Sequence, residues 1–311
     1  MKRIQYARYG GPDGMGLETF NLSALKSNQV AVKVKFAAIN PVDWKVRNGD
    51  LKIVTGRTFP RAMGCDFSGT VISVGTSVTR FKPGDDVFGL THVKDCGALG
   101  EAVIASETFL AKKPAGVSFE NAACLGTPGV TAWNGLIDKA GLKEGQRVFV
   151  NGCTGAVGAA TVQLARARGA TVSGACSAEA VAYARELEVA GIFDYRTTNL
   201  AQLRERFDVV YDTAGTMSLA VGLGLLSKGG VFLDIDPTPG KFIRALFDRR
   251  LKPIICTARA AILDGLAHAA ESGKLRLPIS ETVPLSEAIP LITALEQGLK
   301  LKGKALVAMP D

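Results

Sequence analysis

The 311-residue chain holds only two histidines, His92 and His268, and that scarcity bears first on metals. A tetrahedral zinc site gathers three or four Cys, His or acidic ligands, and two isolated imidazoles supply little of one. The six cysteines (Cys65, Cys96, Cys124, Cys153, Cys176 and Cys256) share no paired spacing. That argues against a disulfide framework or a Cys-x-x-Cys cluster, and they read as small buried side chains in a reducing compartment. No uninterrupted apolar stretch reaches the length of a bilayer span. The opening MKRIQYARYGG enters a strand-like run and lacks the apolar core of a secretory leader, so the cytosol is the expected compartment. Internal repeats and low-complexity tracts are missing as well, which removes solenoid and fibrous architectures. The net charge of +8 is spread along the chain, and neither paired zinc-finger ligands nor an RNP box accompanies it. No nucleic-acid partner is therefore expected. The same charge suits a phosphate-rich cofactor or contact with an anionic membrane face.

What is present is an ordinary globular composition, 47% hydrophobic and 21% charged. The length exceeds that at which single cores stop growing, so two domains are expected. Gln29–Ala38 (QVAVKVKFAA) and Asp66–Val74 (DFSGTVISV) alternate apolar and polar residues with the period of half-buried strands. Gly75-Thr-Ser and Lys82-Pro-Gly-Asp supply turns before a further strand at Asp86–Leu90. A β-rich, barrel-like unit follows from this pattern. Near residue 120 the character changes. Phe119–Leu142 reads as helical, and apolar strands then alternate with helices: Arg147–Asn151, Ala156–Arg168, Thr171–Ala175, Ala178–Leu187, Val189–Phe193, Asp208–Asp212, Ser218–Leu226 and Val231–Ile235. Such alternation predicts βαβ units, a parallel sheet covered on both faces, and a doubly wound α/β domain. After Pro253 a strand, a helix and a strand–helix–strand close the chain, and this tail is expected to return to the first domain.

The sharpest signal is VFVNGCTGAVG (Val148–Gly158). A buried strand runs into Gly152-x-x-Gly155-x-x-Gly158 as a helix begins. Glycines there let the backbone turn tightly and approach a pyrophosphate, and the helix N-terminus offers N–H groups to it. The alternative is a helix start whose glycines merely pack closely. NAD-specific folds usually carry an acid at the end of the second strand, for the ribose 2′-hydroxyl. Here that place reads Gly174-Ala175-Cys176-Ser177. Ser177 is suited to a 2′-phosphate, with Tyr195 and Arg196 arriving from the next strand end, so NADPH is favoured. Glu179 departs from this, since its charge repels a phosphate if it faces the site; otherwise it is a solvated acid in a first helical turn.

Over nearly its whole length the chain resembles the medium-chain dehydrogenase/reductase superfamily, in its zinc-independent quinone oxidoreductase branch. The likeness rests on AINPVDWKVRNG (Ala38–Gly49), MGCDFSGTVISVG (Met63–Gly75), FKPGDDVFGL (Phe81–Leu90) and NGCTGAVG (Asn151–Gly158). FDVVYDTAG (Phe207–Gly215), SKGGVFLDI (Ser227–Ile235) and LKGKALV (Leu301–Val307) extend it. NPVDWK and the stretch Asp234–Gly240 (DIDPTPG) look most like the chloroplast-envelope quinone oxidoreductase-like and alkenal/enone reductases, which reduce α,β-unsaturated carbonyls. The resemblance implies a GroES-like substrate domain over 1–120 and 258–311 and a Rossmann domain over 121–257. It also implies NADPH as cofactor, a quinone or enone substrate, and a homodimer. Zinc-using relatives carry ligands where this chain has Asn40 and Gly64-Cys65-Asp66, and the four-cysteine structural-zinc loop is missing, so no metal is expected.

The resemblance further implies cofactor contacts at Asn40 beside the nicotinamide ribose, at Thr131 beside the nicotinamide, and at Lys304. Gly152, Thr154, Gly155, Ala156 and Val157 belong to the phosphate turn, with Ser177, Tyr195 and Arg196 toward the 2′ end. Asn40, Asp43 and Lys45 are the catalytic candidates. The alternative reads Asp43 as a turn cap and Lys45 as solvated, Trp44 as core rather than pocket, and Tyr195 as packing. Without zinc, alcohol oxidation loses its Lewis acid, whereas hydride transfer to an electron-poor carbon needs mainly orientation and electrostatic support. The expected activity is thus NADPH-dependent reduction of quinones or enones. A non-catalytic dinucleotide-binding redox sensor or structural protein and a zinc alcohol dehydrogenase are the alternatives. Gly240–Arg259 places Phe242, Ile243, Leu246 and Phe247 on one helical face among several Lys and Arg. The preferred reading docks that face on the core; the other rests it on an anionic membrane or at the substrate entrance.

Overall fold

Strand β1 (Gln29–Ala38), strand β2 (Asp66–Val74) and strand β3 (Asp86–Leu90) form over the expected ranges in a computed structural model that describes residues 1–203, 206–236 and 238–310. The alternating side chains decide the layer. Val30, Val32 and Val34 turn inward to a core shared with Phe67, Val71, Val87 and Leu110. The chain folds into two compact units, Met1–Thr127 with Ala258–Ser272 and the described residues from Arg276 on, and Pro128–Thr257 with Gly273–Leu275.

In the first unit, helix α1 (Pro41–Asn48) follows β1 directly, with Pro41 at its first position where a missing N–H costs nothing. Strand β4 (Ala102–Ser106) pairs antiparallel with β1, and strand β5 (Leu110–Lys112) with β3. Trp44 of α1 is partly buried against the unit's core, the packing reading of that residue.

Helix α2 (Gly126–Trp133) begins in the last two residues of the first unit's opening segment and continues into the second unit at Pro128. Phe119–Leu142, read from sequence as one helix, is in pieces: Phe119–Ala123, α2, and a wider π turn over Asn134–Lys139. At Gly135, within that turn, a Cβ would stand 2.4 Å from the Tyr211 ring. Strand β6 (Arg147–Asn151), helix α3 (Ala156–Arg166), strand β7 (Thr171–Cys176), strand β8 (Gly191–Asp194), strand β9 (Phe207–Asp212), strand β10 (Leu226–Asp234), helix α4 (Pro239–Phe247) and strand β11 (Leu251–Pro253) follow. The expected helix over 178–187 is a short 3₁₀ turn and then Val181–Glu186. The last strand ends at Pro253 instead of starting beyond it. The six strands are parallel in the order β8-β7-β6-β9-β10-β11, a doubly wound sheet whose order reverses on either side of β6.

The chain then adds helix α5 (Ala260–Glu271), strand β12 (Ile279–Pro284), helix α6 (Ala288–Glu296) and strand β13 (Lys304–Ala308). β13 pairs antiparallel with β1, Leu306 opposite Ala38, so the tail completes the first unit's seven-stranded sheet. The docked reading of 240–259 is corrected here. No residue of α4 is buried, and Phe242, Ile243, Leu246 and Phe247 are all exposed. Pro237, within the stretch 234–240 used for the resemblance, lies outside the described residues. No helix of the described residues is long and apolar enough to cross a membrane.

Candidate active site

The glycine turn has the geometry its spacing predicts. β6 ends at Asn151, and Gly152 turns the chain with φ +78°, a left-handed conformation that favours glycine. The N–H groups of Gly152 and Cys153 donate to the Ala175 carbonyl of β7 at 2.9 and 3.0 Å. Gly155 is the N-cap of α3, extended and without a side-chain cap. The first turn of α3 therefore leaves N–H groups for an outside acceptor. A Cβ on Gly158 would lie 2.0 Å from the Gly152 carbonyl oxygen, so only glycine lets the helix approach the turn this closely. Gly155 is exposed and Thr154, Ala156 and Val157 are partly so. The ends of β6 and β9 are locked together behind the turn. The Asn151 side chain donates to Asp212 Oδ1 at 2.7 Å, and Asp212 accepts from the N–H groups of Gly215 (3.0 Å) and Met217 (2.8 Å). Neither Asn151 nor Asp212 stands out in the sequence as a site residue. Thr131 sits on α2, its carbonyl accepting from the Tyr211 hydroxyl at 2.8 Å.

At the ends of β7 and β8 the structure brings Ser177, Glu179, Tyr195 and Arg196 together. Arg196 Nη1 donates to Glu179 Oε1 at 2.8 Å, and its guanidinium lies 5.5 Å from the centre of the Tyr195 ring. Tyr195 is 48% exposed, which sets aside plain core packing for it. Hydrogen bonds from Arg196, a backbone N–H and Ser177 hold the Glu179 carboxyl down at about 2. Its negative charge is thus partnered by Arg196. The same pairing occupies the Arg196 guanidinium.

In the first unit, β1 delivers Asn40 to the start of α1, and β13 delivers Lys304 beside it. Lys304 Nζ donates to Asn40 Oδ1 at 2.6 Å and to the Ile39 carbonyl at 2.8 Å. The Asn40 amide Nδ2 donates to Asp66 Oδ2 at 2.9 Å, and its backbone N–H donates to Asp43 Oδ2 at 2.8 Å. Asp43 thus does cap the helix start, as the simpler reading had it. Asp66 also accepts from Thr127, at 2.8 Å from the backbone N–H and 2.6 Å from the hydroxyl. All of these side chains except Thr127 are at most 5% exposed. Burial is the main cause that pushes the Asp43 carboxyl up to about 7; the Asn40 N–H opposes it, Asp66 adds to it, and Lys304 opposes it. Burial also raises Asp66, with Lys304 the chief opposing influence. A carboxyl near 7 can hold or release a proton in the neutral range. Lys45 is exposed and lies outside this cluster.

Of the positions where zinc-using relatives carry ligands, Asn40 and Asp66 spend their polar atoms on each other, Lys304 and Thr127. The Cys65 thiol is raised by its contact with Cys96, 3.9 Å away, and by burial, which keeps it from acting as a thiolate nucleophile. Among the described residues, no three His, Cys, Asp or Glu side chains gather to hold a metal ion.

Residues 26–115 match the alcohol dehydrogenase GroES-like domain and residues 187–307 the zinc-binding dehydrogenase domain. A chloroplast envelope quinone oxidoreductase homolog of Arabidopsis thaliana is 31% identical over 301 residues, covering 91% of each chain. An NADPH-dependent alkenal/one oxidoreductase of the same plant is 33% identical, over 89% of this chain and 71% of its own. The solved quinone oxidoreductase of Coxiella burnetii superposes with a TM-score of 0.88 at 29% identity, over 100% of this chain and 99% of its own. The chain belongs to the medium-chain dehydrogenase/reductase superfamily, among its quinone oxidoreductases and alkenal/enone reductases.

Proposed function

We propose that this oxidoreductase uses NADPH to reduce quinones or α,β-unsaturated carbonyls, and that it does so without zinc. The observation that carries the reading is the uncapped N-terminus of α3 behind Gly152, an anion site at the point where the strand order reverses. Amides of Ala156 and Val157, with Thr154 and the exposed Gly155 beside them, would take the diphosphate. Ser177, Tyr195 and Arg196 would meet the 2′-phosphate, with Thr131 toward the nicotinamide. Bound there, the cofactor supplies the hydride. The Asn40 and Lys304 contacts belong to the same proposal, with Asp43 fixing the Asn40 backbone and holding a proton near neutrality. Lys45 is left as a solvated residue. The relatives named for quinone and alkenal/one reduction support the substrate class, and the NADPH in one of those names supports the cofactor. The missing acid at the end of β7 points the same way. We further propose a homodimer in a reducing compartment such as the cytosol.

Stopped-flow oxidation of NADPH by 1,4-benzoquinone and by a short enone tests the reading. Turnover with at least one acceptor class is expected in metal-free buffer. Tight NADPH binding without oxidation by any acceptor in a broad panel would transfer the protein to the redox-sensor reading.

A further inference from the structure

Two of the six cysteines face each other in the first unit. Cys65 Sγ and Cys96 Sγ lie 3.9 Å apart although 31 residues separate them along the chain. The backbone holds them in register on both sides. The Thr91 N–H donates to the Cys65 carbonyl at 2.9 Å, and the Gly97 N–H to the Gly64 carbonyl at 2.9 Å. Around the thiols the contacts are apolar: Val46 is buried with both cysteines, and Val42, Leu51 and Val93 pack against that group. Val42 and Val46 belong to α1, so the helix that starts at Asn40 rests on the pair.

Two further observations set this pair apart from cysteines that only fill space. Cys96 has φ +38°, in the left-handed region. For a residue with a Cβ, such backbone strain costs about 1–3 kcal/mol and persists only where the surroundings fix it. Here the Cys96 N–H donates to the His92 carbonyl at 3.1 Å and its thiol to the Val93 carbonyl at 3.3 Å. Beside Cys65, Asp43 Oδ1 is buried and has no hydrogen-bond partner among the described residues. Burial pushes the Asp43 carboxyl up, and the Cys65 thiol is among the groups that draw it back. An acceptor for the Cys65 proton therefore stands next to the sulfur.

We propose that Cys65 and Cys96 form a redox-active dithiol that a hydroperoxide closes to a disulfide. Cys96 is the more exposed, at 8% against 2% for Cys65, and its neighbours Lys94 and Asp95 are open to solvent. Its sulfur, losing a proton, takes one peroxide oxygen as the O–O bond breaks. That leaves a sulfenic acid and releases the other oxygen as water or an alcohol. The Cys65 sulfur then bonds to the Cys96 sulfur while its proton passes to Asp43 Oδ1 and on to the departing hydroxyl, which leaves as water. The two thiols give up two electrons and the peroxide takes them; no free Cys65 thiolate is needed. Closure brings the sulfurs from 3.9 Å to a bond of about 2 Å. This draws the pair together beneath α1 and pulls on Asp66, next in the chain to Cys65 and the acceptor for Asn40. Formation of the bond is independent of the proposed reductase activity, whereas its effect on turnover rests on that reading.

Hydrogen peroxide added to the full-length protein, followed by tryptic digestion without reductant and mass spectrometry, tests the bond. The peptides 62–80 and 95–112, which carry Cys65 and Cys96, are expected joined, two hydrogens lighter than their sum, and parted again by dithiothreitol. Trp44, one of two tryptophans, lies on α1. In a Trp133→Phe variant its emission is expected to change on oxidation and to recover on reduction. NADPH turnover is expected to fall at least about tenfold on oxidation, while Cys96→Ser, active before treatment, keeps its rate in peroxide. Absence of the joined peptides from the folded protein overturns the proposal. So does a joined pair that leaves Trp44 emission unchanged, or equal loss of turnover in wild type and Cys96→Ser. A reduced protein inactive toward every acceptor defeats the reductase reading alone, and the joined peptides and Trp44 still decide this one.

Discussion

Replacing Asp43 with Asn should reverse the sign of its effect on stability between acid and alkaline solution. In the folded protein burial pushes this carboxyl up to about 7 from an ordinary 3.8. Between those values the folded state keeps a proton that the unfolded chain has released. The unfolded chain binds fewer protons there, so stability falls as pH rises. Each pH unit in that interval costs about 1.4 kcal/mol, and the whole interval about 4 kcal/mol. Below 3.8 the penalty is absent, and above 7 it stays at its full value. In Asp43→Asn the side-chain oxygen still accepts the Asn40 N–H, while the new NH2 lacks an obvious acceptor in its buried place and costs about 1–2 kcal/mol. The variant is therefore less stable than wild type below pH 4 and more stable, by about 2 kcal/mol, at pH 8. Urea denaturation of both proteins across this range, read as a difference, isolates Asp43 from Asp66, whose raised carboxyl contributes in both. Parallel curves that never cross would refute the reasoning, because Asp43 would then be ionised in the folded state throughout.

Three other outcomes follow from the same geometry. Glu179→Gln releases Arg196 and should raise the preference for NADPH over NADH several-fold, whereas Arg196→Ala should lower it by about tenfold; competitive titration with the two nucleotides measures both. Lys304→Met deprives Asn40 Oδ1 of its donor and Asp66 of the nearby cation, and should cost about 3–5 kcal/mol in urea denaturation. Gly158→Ala places a carbon against the Gly152 carbonyl and should lower the thermal midpoint and abolish measurable NADPH affinity together, at a cost of about 1–3 kcal/mol.

The parallel sheet was legible because its strands are short, apolar runs broken by helices, and the phosphate turn because three glycines sit where a strand meets a helix. What eluded the sequence depends on partners far along the chain. Asp66 suggested only a stray metal ligand, and its role as acceptor for Asn40 and for Thr127, 61 residues away, comes from the pairing of β1 with β2 and the arrival of Thr127. An acid at the opening of a half-buried strand was the one available hint. Glu179 and Arg196 were both noticed, yet their mutual ion pair follows from β7 lying beside β8. For α4, periodicity tells which side chains share a face and says nothing of what covers it. The docked reading failed there because Ala245 alone supplies the packing.

Calorimetric titration with NADPH, repeated against 2′-phospho-ADP-ribose and against nicotinamide mononucleotide, reaches the central claim most directly. If the turn at Gly152–Gly158 grips the diphosphate, 2′-phospho-ADP-ribose competes fully with NADPH and the mononucleotide binds far more weakly. No heat from NADPH, or full competition by the mononucleotide alone, would contradict the account.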